Sequence, residues 1–284
     1  MIHERLSDVH ILGDQTRHTA IRSAETEKRD WLSESPICRL LETHNILHAG
    51  IMLAWPPFTV VRTQQSGTFF LACFGGEGSI LVDGRWHKVT QDMACLLPPH
   101  TVNALRSEGH WDFAWVRYFE PRGTVPVATA NSPAQGEFNA APVKTAIEGL
   151  HAECMGDASA AMLHHWVELT HQYVLRFARP RLTDDRIWKA WEAVEKDLGR
   201  DWSLGDISGV ACVSPEHLRR LCLKHLGRSP MKHLTYLRMR HAAELLSATD
   251  EKIETIAHSV GYENAFAFSD TFLKWTGMRP SEHR

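Results

Sequence analysis

Residues 206–230 recur, loosely, fifty positions further along the chain. Val210 falls on Val260, Ala211 on Gly261, Leu218 on Phe268, Cys222 on Phe272, Lys224 on Lys274, Gly227 on Gly277 and Pro230 on Pro280. Both copies read apolar-x3-apolar-x-Lys-x2-Gly-x2-Pro, and such coincidence of core, charge, glycine and proline positions marks a duplicated supersecondary unit. Each copy has helix–turn–helix logic. In the first, Ser203 is placed to cap a short helix, with Asp206 at the capping-box position. Ile207, Val210 and Ala211 give that helix an apolar face, and Cys212-Val213 makes the turn. Ser214-Pro215-Glu216 then opens a second helix, with serine as N-cap and proline at N1. Leu218, Leu221 and Cys222 point inward, and Gly227 stops the helix. In the second copy Asp250 caps, Ile253, Ile256, Ala257 and Val260 face inward, and Gly261 takes the turn, where a missing Cβ relieves strain. Residues 264–275 form its second helix, with Phe268 and Phe272 inward.

Ser229-Pro230 opens a connecting helix over about 231–247, apolar at Leu234, Leu237, Ala242, Leu245 and Leu246. A rigid connector fixes the separation of two units, which suits helices entering successive major-groove faces about 34 Å apart. The charge agrees. Within 214–241 the bases are Arg219, Arg220, Lys224, Arg228, Lys232, Arg238 and Arg240, and the only acid is Glu216. Sign bias that coincides with duplication predicts a local polyanion-facing patch. The chain's net charge is −3, so there is no global basic field.

On these residues the stretch 187–284, ending in Gly-Met-Arg-Pro-Ser-Glu, resembles the AraC/XylS family of transcription regulators. The resemblance implies seven helices with two helix–turn–helix units, the last helix very short. It implies that Glu216, Arg219 and Arg220 face base edges, with Ser214 and His217 nearby and Lys224 toward phosphate; arginine bidentate to guanine is the strongest such contact. In the second unit it exposes Asn264, Ala265, Phe266, Ser269 and Asp270, with Lys274 toward the backbone. Asp270 departs from the family, where arginine is usual. Either the acid accepts from cytosine N4, or this unit adds little affinity; the second reading is favoured.

Upstream, residues 1–35 are polar and carry little signal. Over 46–121 short apolar runs (ILHAGIML, FTVV, TFFLACF, SILV, ACLL, FAWVRYF) alternate with Pro-Pro, Ser-Gly, Gly-Gly and Asp-Gly breaks, the texture of a β-sandwich or barrel. Asp83-Gly84 marks a hairpin. Residues 121–141 read as loop. Over 142–178 the period turns helical: Leu163, Trp166, Val167, Thr170, Val174 and Phe177 form one stripe, suited to packing on the barrel or on a second subunit. Residues 179–185 read as a linker. The segment 78–86, with Asp92 and Leu96-Leu97-Pro98-Pro99-His100, resembles the cupin-like sensor domain of the same family. That implies a small effector, often a sugar, and dimerisation through nearby helices. A barrel mouth is a natural small-molecule site. Trp55, Arg62, Trp86, His100 and Trp115 are the candidate effector contacts, with Asn103 and Trp111 beside them; flat rings stack on sugars, and the polar groups bond hydroxyls. Each tryptophan taken singly is expected in the core.

The composition fits this outline. At 284 residues two domains are expected, and 43% hydrophobic with 23% charged residues is ordinary globular protein. No apolar run approaches a membrane span. The charged N-terminus does not read as a signal peptide. Six scattered cysteines read as reduced, buried thiols. The expectation is a cytoplasmic α+β two-domain protein: a cupin-like β-barrel with flanking helices over 1–178, and an all-α double helix–turn–helix domain over 186–284. The expected partners are a double-stranded DNA operator, a small-molecule effector and a second copy in a homodimer, with RNA polymerase a further candidate and no membrane. No catalytic residue, cofactor or metal is expected. A cupin metalloenzyme would need clustered histidines. His44 and His48, if on one strand, lie about 13 Å apart, His87 and His100 have no His-x-His neighbour, and His164, His165 and His171 lack an i, i+4 pair. An architectural DNA-binding protein without an effector is the other alternative, opposed by the aromatic-rich first half.

Overall fold

The computed structural model describes residues 9–25, 29–63, 66–82, 84–99, 101–121, 126–129, 132–179 and 185–283. The chain forms two compact units, Met1–Arg179 and Pro180–Arg284. Most of the expected linker, 180–184, lies outside the described residues.

The first unit is a curled antiparallel half-barrel. Its strands are β1 (Val9–Leu12), β2 (Arg17–Arg22), β3 (Ile46–Ala54), β4 (Phe58–Arg62), β5 (Phe69–Val82), β6 (Arg85–Thr90), β7 (Met93–Leu97), β8 (Asn103–Ser107), β9 (Trp111–Tyr118) and β10 (Gln135–Glu137). The main sheet path runs β1-β4-β8-β5-β9-β3-β2, with β6 and β7 also on β5 and β10 on β7. The curl comes from β5. Residues 77–82 pair with β6, and Ser79 and Ile80 with β8. Residues 69–76 pair instead with β9, and 69–72 with β7. The register slips between Cys73 and Gly75, and Gly76 has φ +64°. A bulge followed by a glycine in the left-handed region bends a strand at that point.

Alternation along the strands then makes two cores. Phe69, Leu71, Cys73, Phe113 and Trp115 point into the half-barrel with Met52, Phe58, Val60 and Leu105. Phe70, Ala72, Ala114, Val116 and Tyr118 point the other way, where helices α1 (Ala141–Met155) and α2 (Ala160–Ala178) cover the sheet. Val167, Thr170, Val174 and Phe177 of the expected stripe are buried, and the Phe70 and Phe177 rings meet at 5.7 Å. The stripe therefore packs on the sheet, with Leu163 and Trp166 at its half-buried margin.

Four local expectations change. The low-signal N-terminal segment contributes β1 and β2, and the 121–141 loop contains β10. His44 closes a 3-10 turn (Arg39–His44) ahead of β3, so it shares no strand with His48; it bonds Glu168 Oε2 at 2.8 Å. Cys212 is exposed, while Cys38, Cys73, Cys95 and Cys222 are buried and Cys154 half-buried. In the expected hairpin Val82 pairs with Arg85 and Gly84 has φ +70°; Asp83 lies outside the described residues.

The second unit is all-helical: α3 (Asp185–Lys196), α4 (Leu204–Val210), α5 (Pro215–Leu226), α6 (Pro230–Ala248), α7 (Ile253–Ser259), α8 (Ala265–Thr276) and α9 (Pro280–His283). Helix α6 is central. Its Met239, Ala242 and Leu246 pack on Ile256, Ala257, Val260, Phe268 and Phe272 of the second helix pair.

Candidate nucleic-acid interface and barrel cleft

The caps position the two helix pairs. The Ser203 hydroxyl accepts from the Asp206 amide (3.1 Å), while the Asp206 carboxylate takes the Ser203 amide (2.9 Å) and hydroxyl. This is the expected capping box on α4. Ser214 Oγ accepts from His217 N at 3.2 Å and starts α5. Asn264 Oδ1 accepts from Phe266 N at 2.7 Å and starts α8. Gly227 and Gly277 end α5 and α8 with φ +67° and +79°. Asp250 does not cap α7. Lys252 stands at its N-cap, and no side chain bonds there.

The repeat has two registers. Helices α5 and α8 are offset by fifty residues, but α4 and α7 by forty-nine. Ile207 thus matches Ile256, and Ala211 matches Val260, all buried. Val210, aligned with Val260 on a uniform fifty, is 40% exposed and lies outside the apolar face. The first turn places Cys212 at φ +51°, and the second places Gly261 at φ +78°; glycine fits there because a Cβ would meet the Arg238 guanidinium.

The seven bases of the run divide by role. Arg238 Nε and Nη2 donate to the carbonyls of Leu198 (3.1 Å) and Arg200 (2.7 Å). Arg240 pairs with Glu195 at 3.2 Å. Arg228 is buried, its guanidinium 4.2 Å from the Tyr236 ring centre. These three hold the unit together. Arg219, Arg220 and Lys224 stay exposed on α5 beside Glu216, with Lys232 half-exposed at the start of α6. Arg219 reaches Glu216 and Arg220 reaches His217, each at 3.4 Å. On α8, Phe266 and Lys274 are exposed, and Ala265 and Ser269 half-buried. Asp270 is exposed, but its Oδ1 accepts from Arg279 Nη1 at 2.8 Å. The bare acid expected from sequence is a paired one.

Inside the half-barrel a narrow cleft is lined by His10, Leu12, Trp31, Met52, Phe58, Val60, Arg62, Phe69, Leu105, Phe113 and Trp115. Arg62 is buried, its guanidinium 4.8 Å from the Phe69 ring centre. Trp115 Nε1 donates to His48 Nδ1 at 2.9 Å, and Arg29 Nη1 lies 2.8 Å from His48 Nε2. Burial, then Arg29, Arg117, Arg62 and His10, push the His48 pKa well below its ordinary value, so the ring is neutral. Gly50 admits the Trp115 ring; a Cβ there would collide with it. Of the five expected effector contacts, Arg62 and Trp115 reach this cleft. Trp55 and Trp86 do not: each is 41% exposed, Trp55 beside His110 and Trp86 under the Arg106 guanidinium. His100 lies outside the described residues. Trp111 and Asn103 are buried and do not line it. His10 and Trp31 line it unforeseen. A tryptophan isolated in the polar N-terminal segment was the available signal. The Trp31 Nε1–H is buried without a hydrogen-bond partner. Among the described residues no three His, Cys, Asp or Glu side chains converge as a metal site, and no helix is long and apolar enough to cross a membrane.

Two helix pairs joined by one helix define the second unit as a double helix–turn–helix domain. A helix–turn–helix domain family model matches residues 207–284, and the curated proteins to which part of the chain is similar are transcription regulators. They include the HTH-type transcriptional regulator AdiY of Escherichia coli (strain K12), 31% identical over 98 residues, which are 33% of this chain and 38% of that protein. The arabinose operon regulatory protein of the same strain is 31% identical over 102 residues, 36% of this chain and 35% of that protein. The chain thus spans little more than a third of the length of these curated relatives. Among solved structures, the C-terminal domain of AraT, a response regulator from Geobacillus stearothermophilus, is 35% identical with TM-score 0.35, covering 37% of this chain and 86% of that one. ToxT from Vibrio cholerae O395 covers 84% of this chain and 97% of its own, at 14% identity and TM-score 0.40.

Proposed function

We propose that the chain is a sequence-specific DNA-binding transcription regulator that responds to a small effector, of the sugar or related carbon-source class. The observation that carries the DNA reading is the exposed α5 face: Arg219, Arg220 and Lys224 stay at the surface, whereas Arg238 and Arg240 are tied to carbonyls and a carboxylate of α3 and the loop after it. Arg219, Arg220 and Glu216 read base edges, Ser214 and His217 support them, and Lys224 meets phosphate. Asn264, Ala265, Phe266, Ser269, Asp270 and Lys274 form the corresponding surface of α8. The effector reading is supported by the cleft: Trp115 and Trp31 offer ring faces and Arg62 a donor. Its rings fill most of the space, so the effector enters by turning side chains aside. It shifts regulation only through differential affinity for two arrangements of the molecule. A homodimer through α1 and α2 is supported by exposed Met155, Met162 and Leu169. The DNA operator, RNA polymerase and a cytoplasmic setting complete the proposal.

The test is selection of bound sequences from a random duplex pool by the full chain at physiological salt, with and without a panel of sugars. The expected result is a two-box motif one helical turn apart, bound with an affinity that falls steeply with salt. No enrichment under any condition would sink the regulator reading. A sugar that raises the melting temperature identifies the effector; a panel with no such rise removes the sugar class.

A further inference from the structure

The second helices of the two pairs expose different chemistry at matched positions. Glu216, His217, Arg219, Arg220 and Lys224 of α5 correspond, fifty residues on, to Phe266, Ala267, Ser269, Asp270 and Lys274 of α8. The polar and cationic set gives way to a ring, two small residues and an acid. Phe266 is 83% exposed, more than any other large apolar side chain among the described residues. It stands in the first turn of α8, its backbone fixed by the Asn264 cap. Ala267 beside it is exposed as well. Asp270, one turn further on, is engaged by Arg279, so the helix does not present an isolated negative charge. Of the edges displayed in the major groove, the thymine C5-methyl is the apolar one, and alanine or phenylalanine side chains contact it.

Resting on the DNA-binding reading above, we infer that α8 reads thymine methyl groups by apolar contact through Phe266 and Ala267, where α5 reads by hydrogen bonds. The second unit is then a shape-and-methyl reader for a thymine-bearing box, with Lys274 meeting the backbone. The Asp270–Arg279 pair keeps the acid from repelling the duplex.

Full-length wild-type and Phe266→Ala chains go through the same random-pool selection. The wild-type motif is expected to hold thymines in one box that Phe266→Ala no longer prefers, while the other box is unchanged. Each such thymine is then replaced by deoxyuridine, which removes the methyl alone. Wild type is expected to bind about three- to fivefold more weakly per methyl removed, Phe266→Ala to bind both duplexes alike, and Phe266→Leu to keep part of the discrimination. Equal wild-type affinity for thymine and uracil duplexes, or an unchanged motif in Phe266→Ala, overturns the inference and assigns the ring to a protein partner. Failure of wild type to select any motif is a different outcome, since it overturns the DNA-binding reading itself.

Discussion

Arg220 and Arg238 belong to one basic run, yet they face opposite tasks. Arg220 is exposed, its Nη2 3.4 Å from His217 Nδ1, whereas Arg238 ties two backbone carbonyls forty and thirty-eight residues away. Arg220→Ala should therefore weaken DNA binding by about 1–3 kcal/mol and relax preference at one base pair, with the melting temperature unmoved. Arg238→Ala should do the reverse, lowering stability by about 2 kcal/mol because two carbonyls lose a charged donor. Paired melting and DNA-titration curves on both variants check the contrast; a stable Arg238→Ala would contradict it. Sequence could count the bases of this run but not sort them, because the carbonyls that claim Arg238 are remote in the chain. The tryptophans divide for a related reason. Trp86 and Trp115 are both strand residues, but one lies on the outside of the half-barrel and the other inside, and residue type does not specify the face.

At the scale of elements, the duplicated helix pairs were legible because their signals are local: a capping serine, Pro at N1 and a left-handed glycine each act within one turn. The register was not fully legible. Val210 and Val260 share an identity but not a position, because the second turn holds one more residue than the first. Helix α7 also differs from α4 in lacking a side-chain cap, with a cation at its N-cap. Lys252→Asp should raise stability by about 0.5–1 kcal/mol, by bonding a free amide and by placing an acid at the positive end of the helix. Thermal unfolding of the variant is the measurement; no rise would mean that water already serves that end equally well.

For the whole molecule, pH should act through buried neutral histidines in both units. His48 and His233 are fully buried, and burial leads the causes that push each well below the ordinary 6.5. Burial also holds His171 down to about 4. The unfolded chain then binds more protons than the folded one below about pH 6.5, so stability is complete above that value and falls as pH drops toward the folded-state values. Glu168 and Glu244, lowered chiefly by hydrogen bonds from Gln172 and His241, extend the loss below their unfolded 4.5. The melting temperature should decline steadily from pH 7.5 to 5; a flat profile would show that these rings ionise freely in the folded state. Another whole-molecule property lies in β5. Phe69 lines the cleft, and its neighbour Phe70 meets Phe177 on α2. The interior and the helix-covered face are therefore one peptide link apart, without a loop between them to take up slack. Any displacement of Phe69 that shifts the β5 backbone would carry Phe70 with it, against Phe177 of α2.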